Sequence, residues 1–210
     1  MGEYVTTPAT EEKETGRIEA FSDGVFAIAI TLLVLELKVP ALDEGASGTE
    51  LLRALGRDWP SYAAYLISFA TILIMWVNHH RLFTMITRSD GRFLFLNGFL
   101  LLVVSTVPFP TSLLADYLER PAATTAMAIY AGLHVVLALA FNALWRYAAR
   151  RRRLLGRAVT DRQIAIVDRG YLAGPILYLV AFLLAFVNVF ASFGLCAALA
   201  IFFAVMSVDR

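Results

Sequence analysis

The sequence predicts an all-α integral membrane protein with six transmembrane helices per chain. Three observations carry that expectation. Apolar residues fill 59% of 210 positions and the mean hydropathy is +0.69, too greasy for an ordinary soluble domain. The apolar residues gather in runs of helix-spanning length. Lysine and arginine crowd between alternate runs, fourteen on one side against four on the other, which by the positive-inside rule puts both termini in the cytoplasm of a multi-pass protein of the cell membrane.

Taken in order, residues 1–15 read as a mobile cytoplasmic tail, with Thr15 a candidate cap for a helix starting near Gly16. The remainder, 16–210, reads as a single six-helix transmembrane domain. The first helix, around Phe21–Pro40, contains twelve uncharged residues from Gly24 to Leu35 and is expected to end at Pro40, whose predecessor is pushed out of helical space. Glu50–Leu55 suits a short interfacial helix. Trp59 and Tyr62 suit an aromatic belt, and Pro60 the first turn of a second helix that runs to about Phe83. Asp90-Gly91 marks a turn, after which a third helix starts near Phe93 and is disturbed by Pro108 and Pro110. A fourth runs from about Ala122 to Trp145, ahead of Arg146 and Arg150–Arg153. The fifth, about Tyr171–Val187, and the sixth, about Phe190–Val205, turn tightly near Asn188. With only some 16–18 apolar residues each, these two fit either two crossings or a re-entrant pair.

Several function classes are excluded. A net charge of +1 gives no nucleic-acid footprint, and the single cysteine, Cys196, forms no intramolecular disulfide. There is no phosphate-binding glycine loop, no nucleophile–base pair, no Thr-Val-Gly-Tyr-Gly filter and no regularly spaced arginine sensor, so neither an enzyme nor a catalytic residue is indicated. Adjacent His79 and His80 point about 100° apart on a helix and seldom chelate one ion, which argues against a metal site.

Two polar groups and one apolar line remain to be explained. Arg17, Ser22 and Asp23 are either solvated at the membrane surface or form a clamp that ties helix one to Trp76, Asn78, His79 and Arg81 at the same depth. On a helical wheel Gly24, Ile28, Thr31, Leu32 and Leu35 fall within about 50° of one line, with Asp23 nearly opposite. That line fits lipid or a helix-packing face equally well. No internal repeat is visible, so symmetry would come from identical subunits.

Arg17-x-x-x-Phe21-Ser22-Asp23, followed by an apolar helix with Thr31, is similar to the first-helix signature of the transmembrane-protein-175 potassium channel family. The stretch Trp76–Phe83 (WVNHHRLF) and the run Asn97…Pro108-Phe109-Pro110-Thr111 extend the resemblance through Thr111. The resemblance implies a homotetramer whose first helices surround a potassium path and need no cofactor, with membrane lipids as the other partners. It implies that Ile28 is the narrowest point, that Thr31 is tied to potassium preference, and that Arg17, Phe21, Ser22, Asp23, Trp76, Asn78 and His79 form a structural polar signature. A ring of isoleucines closes a pore by dewetting, and hydroxyls beyond it replace lost hydration. The residues alone also fit a proton-coupled secondary transporter using Asp23 and the His79/His80 region, or, more remotely, a membrane enzyme using those histidines.

Overall fold

The computed structural model describes residues 15–208, excepting the side chains of 206–208; the expected tail over 1–14 lies outside the described residues. Every regular element among them is a helix: α1 (Gly16–Leu32, continued as a 3-10 turn Leu33–Glu36), α2 (Gly48–Arg57), α3 (Trp59–Met85), α4 (Gly91–Ser105), α5 (Pro108–Tyr117), α6 (Ala123–Ala149, followed by a 3-10 turn Arg150–Arg152), α7 (Asp161–Leu184) and α8 (Val189–Val208). Among the described residues, five spans are long and apolar enough to cross a membrane: Gly16–Glu36, Trp59–Met85, Gly91–Tyr117, Ala123–Arg152 and Asp161–Leu184; Val189–Val205 is a shorter apolar stretch.

These helices are apolar nearly all round, since lipid competes with protein for every face. Outward residues such as Leu66, Phe95, Leu102, Leu139 and Leu183 stay exposed. α6 sits at the centre, packed on α4, α5, α7 and α8, while α3 bridges α1, α5 and α8. One core cluster joins Phe26, Ala29 and Leu33 of α1 to Phe83, Phe93, Leu100 and Trp145. A second, at the other end of the bundle, joins Leu114, Tyr130, Ala181 and Cys196. α1 lies at the edge, packed chiefly against α3 and α4, with its 3-10 continuation against α3 and α5.

The helix ends follow local chemistry. Ser47 and Glu50 form a reciprocal capping box on α2, as do Thr160 and Gln163 on α7. Asp90 accepts the Phe93 amide at 2.9 Å to start α4. Asn188 accepts the Ala191 amide at 2.9 Å to start α8. Between α4 and α5, Pro108 and Pro110 have no N–H to give, and the Val104 and Thr106 carbonyls accept instead from Val107 (3.1 Å) and Phe109 (3.1 Å). The span continues through a tightened joint, the disturbance the prolines predict.

Three boundaries correct the sequence expectations. Helix one does not reach Pro40: it tightens into 3-10 geometry at Leu33, and Leu37 is extended, so that Lys38 reaches Asp116 at 3.0 Å. α1 does start at Gly16 with Thr15 before it, but the Thr15 side chain makes no cap: its backbone is already helical (φ −86°, ψ −6°), and its hydroxyl donates to the Ile86 carbonyl at 3.2 Å. The fifth membrane helix begins ten residues before Tyr171, at Asp161, because the Thr160 capping box starts it there. Its 24 residues give about 36 Å of helix.

The chain between α6 and α7 closes the arginine-rich end. Arg151 and Arg152 take left-handed φ values of 55° and 53°, a costly pair for non-glycine residues. They turn the chain so that Leu154 and Leu155 plug the end and pair with Ile86 and Thr87. Gly156 passes so close that a Cβ there would sit 3.0 Å from the Thr87 methyl.

Candidate functional site

α1 has two unlike faces. Inward go Ser22, Phe26, Ala29 and Leu33, all buried. Ser22 Oγ donates to the Ile18 carbonyl (2.7 Å) and accepts from Asn97 Nδ2 (3.0 Å). The Asn97 carbonyl in turn accepts from His79 Nε2 at 3.0 Å. The His79 ring lies between Phe26 (centroids 5.3 Å) and Phe83 (4.5 Å). One directed string therefore links α1, α4 and α3, and every member of it is buried. In hydrocarbon, where nothing else would satisfy these groups, such a string holds helices together.

A second string runs along the edge of α1. Trp76 Nε1 donates to Asp23 at 2.9 Å, Trp76 stacks on His80 (6.2 Å, 27°), and His80 Nδ1 lies 3.1 Å from Glu19. Ser22, Asp23, Trp76 and His79 thus meet at one depth, in two separate strings. Asn78 points elsewhere, into a cleft between α3 and α7 that Arg81 also lines. Arg17 is exposed. Asn97 is the hub of the first string, a role the resemblance does not assign to it. Its signal was there: a lone amide within the apolar stretch Leu94–Ser105 needs a partner.

The outward face of α1 carries Phe21 (68% exposed), Gly24, Ile28 (61%), Thr31, Leu32 and Leu35 (70%). The 3-10 turn keeps this stripe straight, because residues three apart eclipse and Leu35 stacks over Leu32. A Cβ at Gly24 would meet nothing within 4 Å. The Thr31 hydroxyl donates to its own helix, 2.9 Å from both the Ala27 and Ile28 carbonyls, so its oxygen lone pairs turn outward.

At the opposite end of the bundle from the arginines, Lys38 pairs with Asp116 and Trp59 Nε1 donates to Glu119 at 3.0 Å. The hydrogen bond and charge of Asp116 hold the Lys38 ammonium above the usual lysine value. Deeper lies a polar relay absent from the sequence expectations: Tyr130 O–H to Ser68 Oγ (3.0 Å), Ser68 to Thr111 Oγ1 (2.8 Å), Thr111 to the Val107 carbonyl (2.8 Å). It fastens α3, α5 and α6 at the proline joint.

The family model described as endosomal/lysosomal potassium channel TMEM175 matches residues 17–108, which include both strings and the outward stripe. A potassium channel of Chamaesiphon minutus is 52% identical over 199 residues, covering 95% of this chain and 98% of the relative. The crystal structure of a lysosomal potassium-selective channel TMEM175 homolog from the same organism superposes with a TM-score of 0.84 at 51% identity, over 93% of this chain and 99% of that one. A Gallus gallus relative named endosomal/lysosomal proton channel TMEM175 is 37% identical over 123 residues, covering 56% of this chain and 24% of its own length. A helical bundle built of membrane-spanning lengths, matched end to end by a relative at this identity, places the chain in the TMEM175 family of multi-pass membrane channels.

Proposed function

We propose that the protein is a potassium-preferring cation channel, a homotetramer whose four α1 helices turn the Phe21–Leu35 stripe toward a shared axis. One observation carries this: the membrane helix fixed most elaborately on one side, by two polar strings, leaves a full-length ordered stripe on the other. Relatives named potassium channels supply the ion. On the axis Ile28 forms a ring without polar atoms that closes by dewetting, with no Thr-Val-Gly-Tyr-Gly filter and no plug. Thr31, one turn further along, presents its outward lone pairs to a partly dehydrated cation.

The test is recording in planar bilayers with potassium and sodium on opposite sides. Ile28→Asn raises basal current at matched protein amounts, because water persists in the ring. Thr31→Val, nearly isosteric, lowers potassium-over-sodium discrimination. An Ile28→Asn protein that assembles normally and passes parental current defeats the gate assignment.

Vertebrate relatives named proton channels make proton conduction the second reading. A reversal potential that follows an imposed pH gradient, rather than the potassium gradient, would favour it. A coupled transporter using Asp23 and the histidines fits less well, since Asp23 holds Trp76, His79 holds Asn97 and His80 faces Glu19.

A further inference from the structure

Away from the α1 stripe, α3, α6, α7 and α8 leave between them a side-opening cleft of about 750 Å³. It is open because α6 and α7 present Ala138, Ala173 and Gly174 there, with the Gly174 backbone close enough that a Cβ would lie 3.6 Å from the Ala138 methyl. Its lining is graded along the bundle. Arg81 and Asn78 stand one and two turns from the end of α3, and Gln163 and Arg169 lie in the first half of α7. All four fall within roughly 12 Å of the arginine-rich end, at 1.5 Å per residue. Beyond them the wall is Ile74, Phe141, Tyr178, Phe202 and Phe203. Among the described residues, two arginines line the cleft and no aspartate or glutamate does. The neighbouring Asp168 is turned to Trp145 Nε1 at 2.6 Å and is not part of the lining.

An apolar wall of this size does not hold water well, and left empty it forfeits dispersion contacts. What fits is an amphiphile with a negative head and a hydrocarbon tail. We propose that the cleft is a binding site for an anionic membrane phospholipid. The phosphate sits between Arg81 and Arg169, where guanidinium geometry suits phosphate oxygens. One acyl chain lies along the Phe141–Tyr178–Phe202 wall, and the other stays in the bilayer. The site is independent of the channel assignment, since none of its residues lies on α1.

The experiment is native mass spectrometry of the full chain released from bilayers of equal phosphatidylglycerol and phosphatidylcholine. The intact protein retains phosphatidylglycerol over phosphatidylcholine by roughly tenfold, as two arginines near a headgroup allow. Arg81→Gln with Arg169→Gln brings that ratio close to one. Gln163→Glu, a single exposed change that adds a carboxylate at the mouth, lowers the ratio without disturbing packing, and so decides the matter if the double variant folds poorly. Ala173→Trp, which fills the cleft, lowers total retained lipid. Arg150→Gln with Arg151→Gln, on the surface away from the cleft, leaves the ratio unchanged. Equal retention of the two lipids by the intact protein, or loss of selectivity in the Arg150/Arg151 variant instead of the cleft variants, overturns the proposal.

Discussion

Asn97 uses both halves of its amide: the carbonyl accepts from His79 and the Nδ2 group donates to Ser22. All three residues are buried where no water can substitute. Asn97→Leu keeps the volume, leaves Ser22 with only its bond to the Ile18 carbonyl and strands the buried His79 Nε2, at about 1–3 kcal/mol for the stranded group. We therefore expect a lower unfolding midpoint in detergent, with the loosened α1 also lowering the assembled fraction. An unchanged midpoint would show that the string contributes nothing net. Asp23 is a milder case, because Trp76 is partly exposed. Asp23→Ala should lower the yield of assembled protein on size-exclusion chromatography. If assembly and current both match the parent, Asp23 is merely solvated at the membrane surface.

Among the elements, α7 shows how a membrane helix tolerates proline. Pro175 cannot donate to the carbonyl four residues back, that of Tyr171, and Asn142 Nδ2 of α6 donates to it instead at 2.8 Å. This makes a double-mutant cycle informative. Asn142→Leu should cost about 1–3 kcal/mol in the parent, and much less once Pro175→Ala restores the helix's own donor. Equal costs in both backgrounds would break the pairing. α4 offers a pH test. The Phe93 amide, the Tyr147 hydroxyl and Arg153 hold the Asp90 carboxyl below the ordinary carboxylate value. A depressed folded pKa means stability that is present above the unfolded value and lost as pH falls through the folded one. The parent should therefore out-melt Asp90→Asn by the same margin at pH 7 and pH 5, with the margin closing only below about pH 3.9. A margin that closes near neutral pH would point to another group.

For the whole molecule, the helix order and arginine asymmetry predict six crossings with both ends in the cytoplasm. Reporter fusions after Arg57, Arg120 and Phe190 should read outside, and fusions after Arg92, Arg157 and Arg210 inside. A C-terminal fusion reading outside would reduce α7 and α8 to a single crossing, and a Phe190 fusion reading inside with the C-terminus also inside would make them a re-entrant pair. One chain has a single α1 and therefore a single stripe, so a conduit needs several copies. Native mass spectrometry is expected to show four, and a conducting monomer would end the pore assignment.

Membrane character, helix positions and the α1 stripe were legible in the sequence by itself, because each is local. Run length sets whether a helix can span, and the spacing of Gly24, Ile28, Thr31 and Leu35 places them on one side of any regular helix. Proline and the capping residues likewise act within a turn or two, which is why the Pro108 joint and the Asn188 turn could be anticipated. What needed the tertiary structure was the choice of partner for each polar group. Ser22 finds Asn97 across 75 positions, Asp23 finds Trp76 across 53, and Thr15 gives up its cap for Ile86 across 71. Nothing local favours one such pairing over another. In an apolar medium every unmet polar group has the same incentive to bond, and only the packing of α1 on α3 and α4 decides which one is within reach.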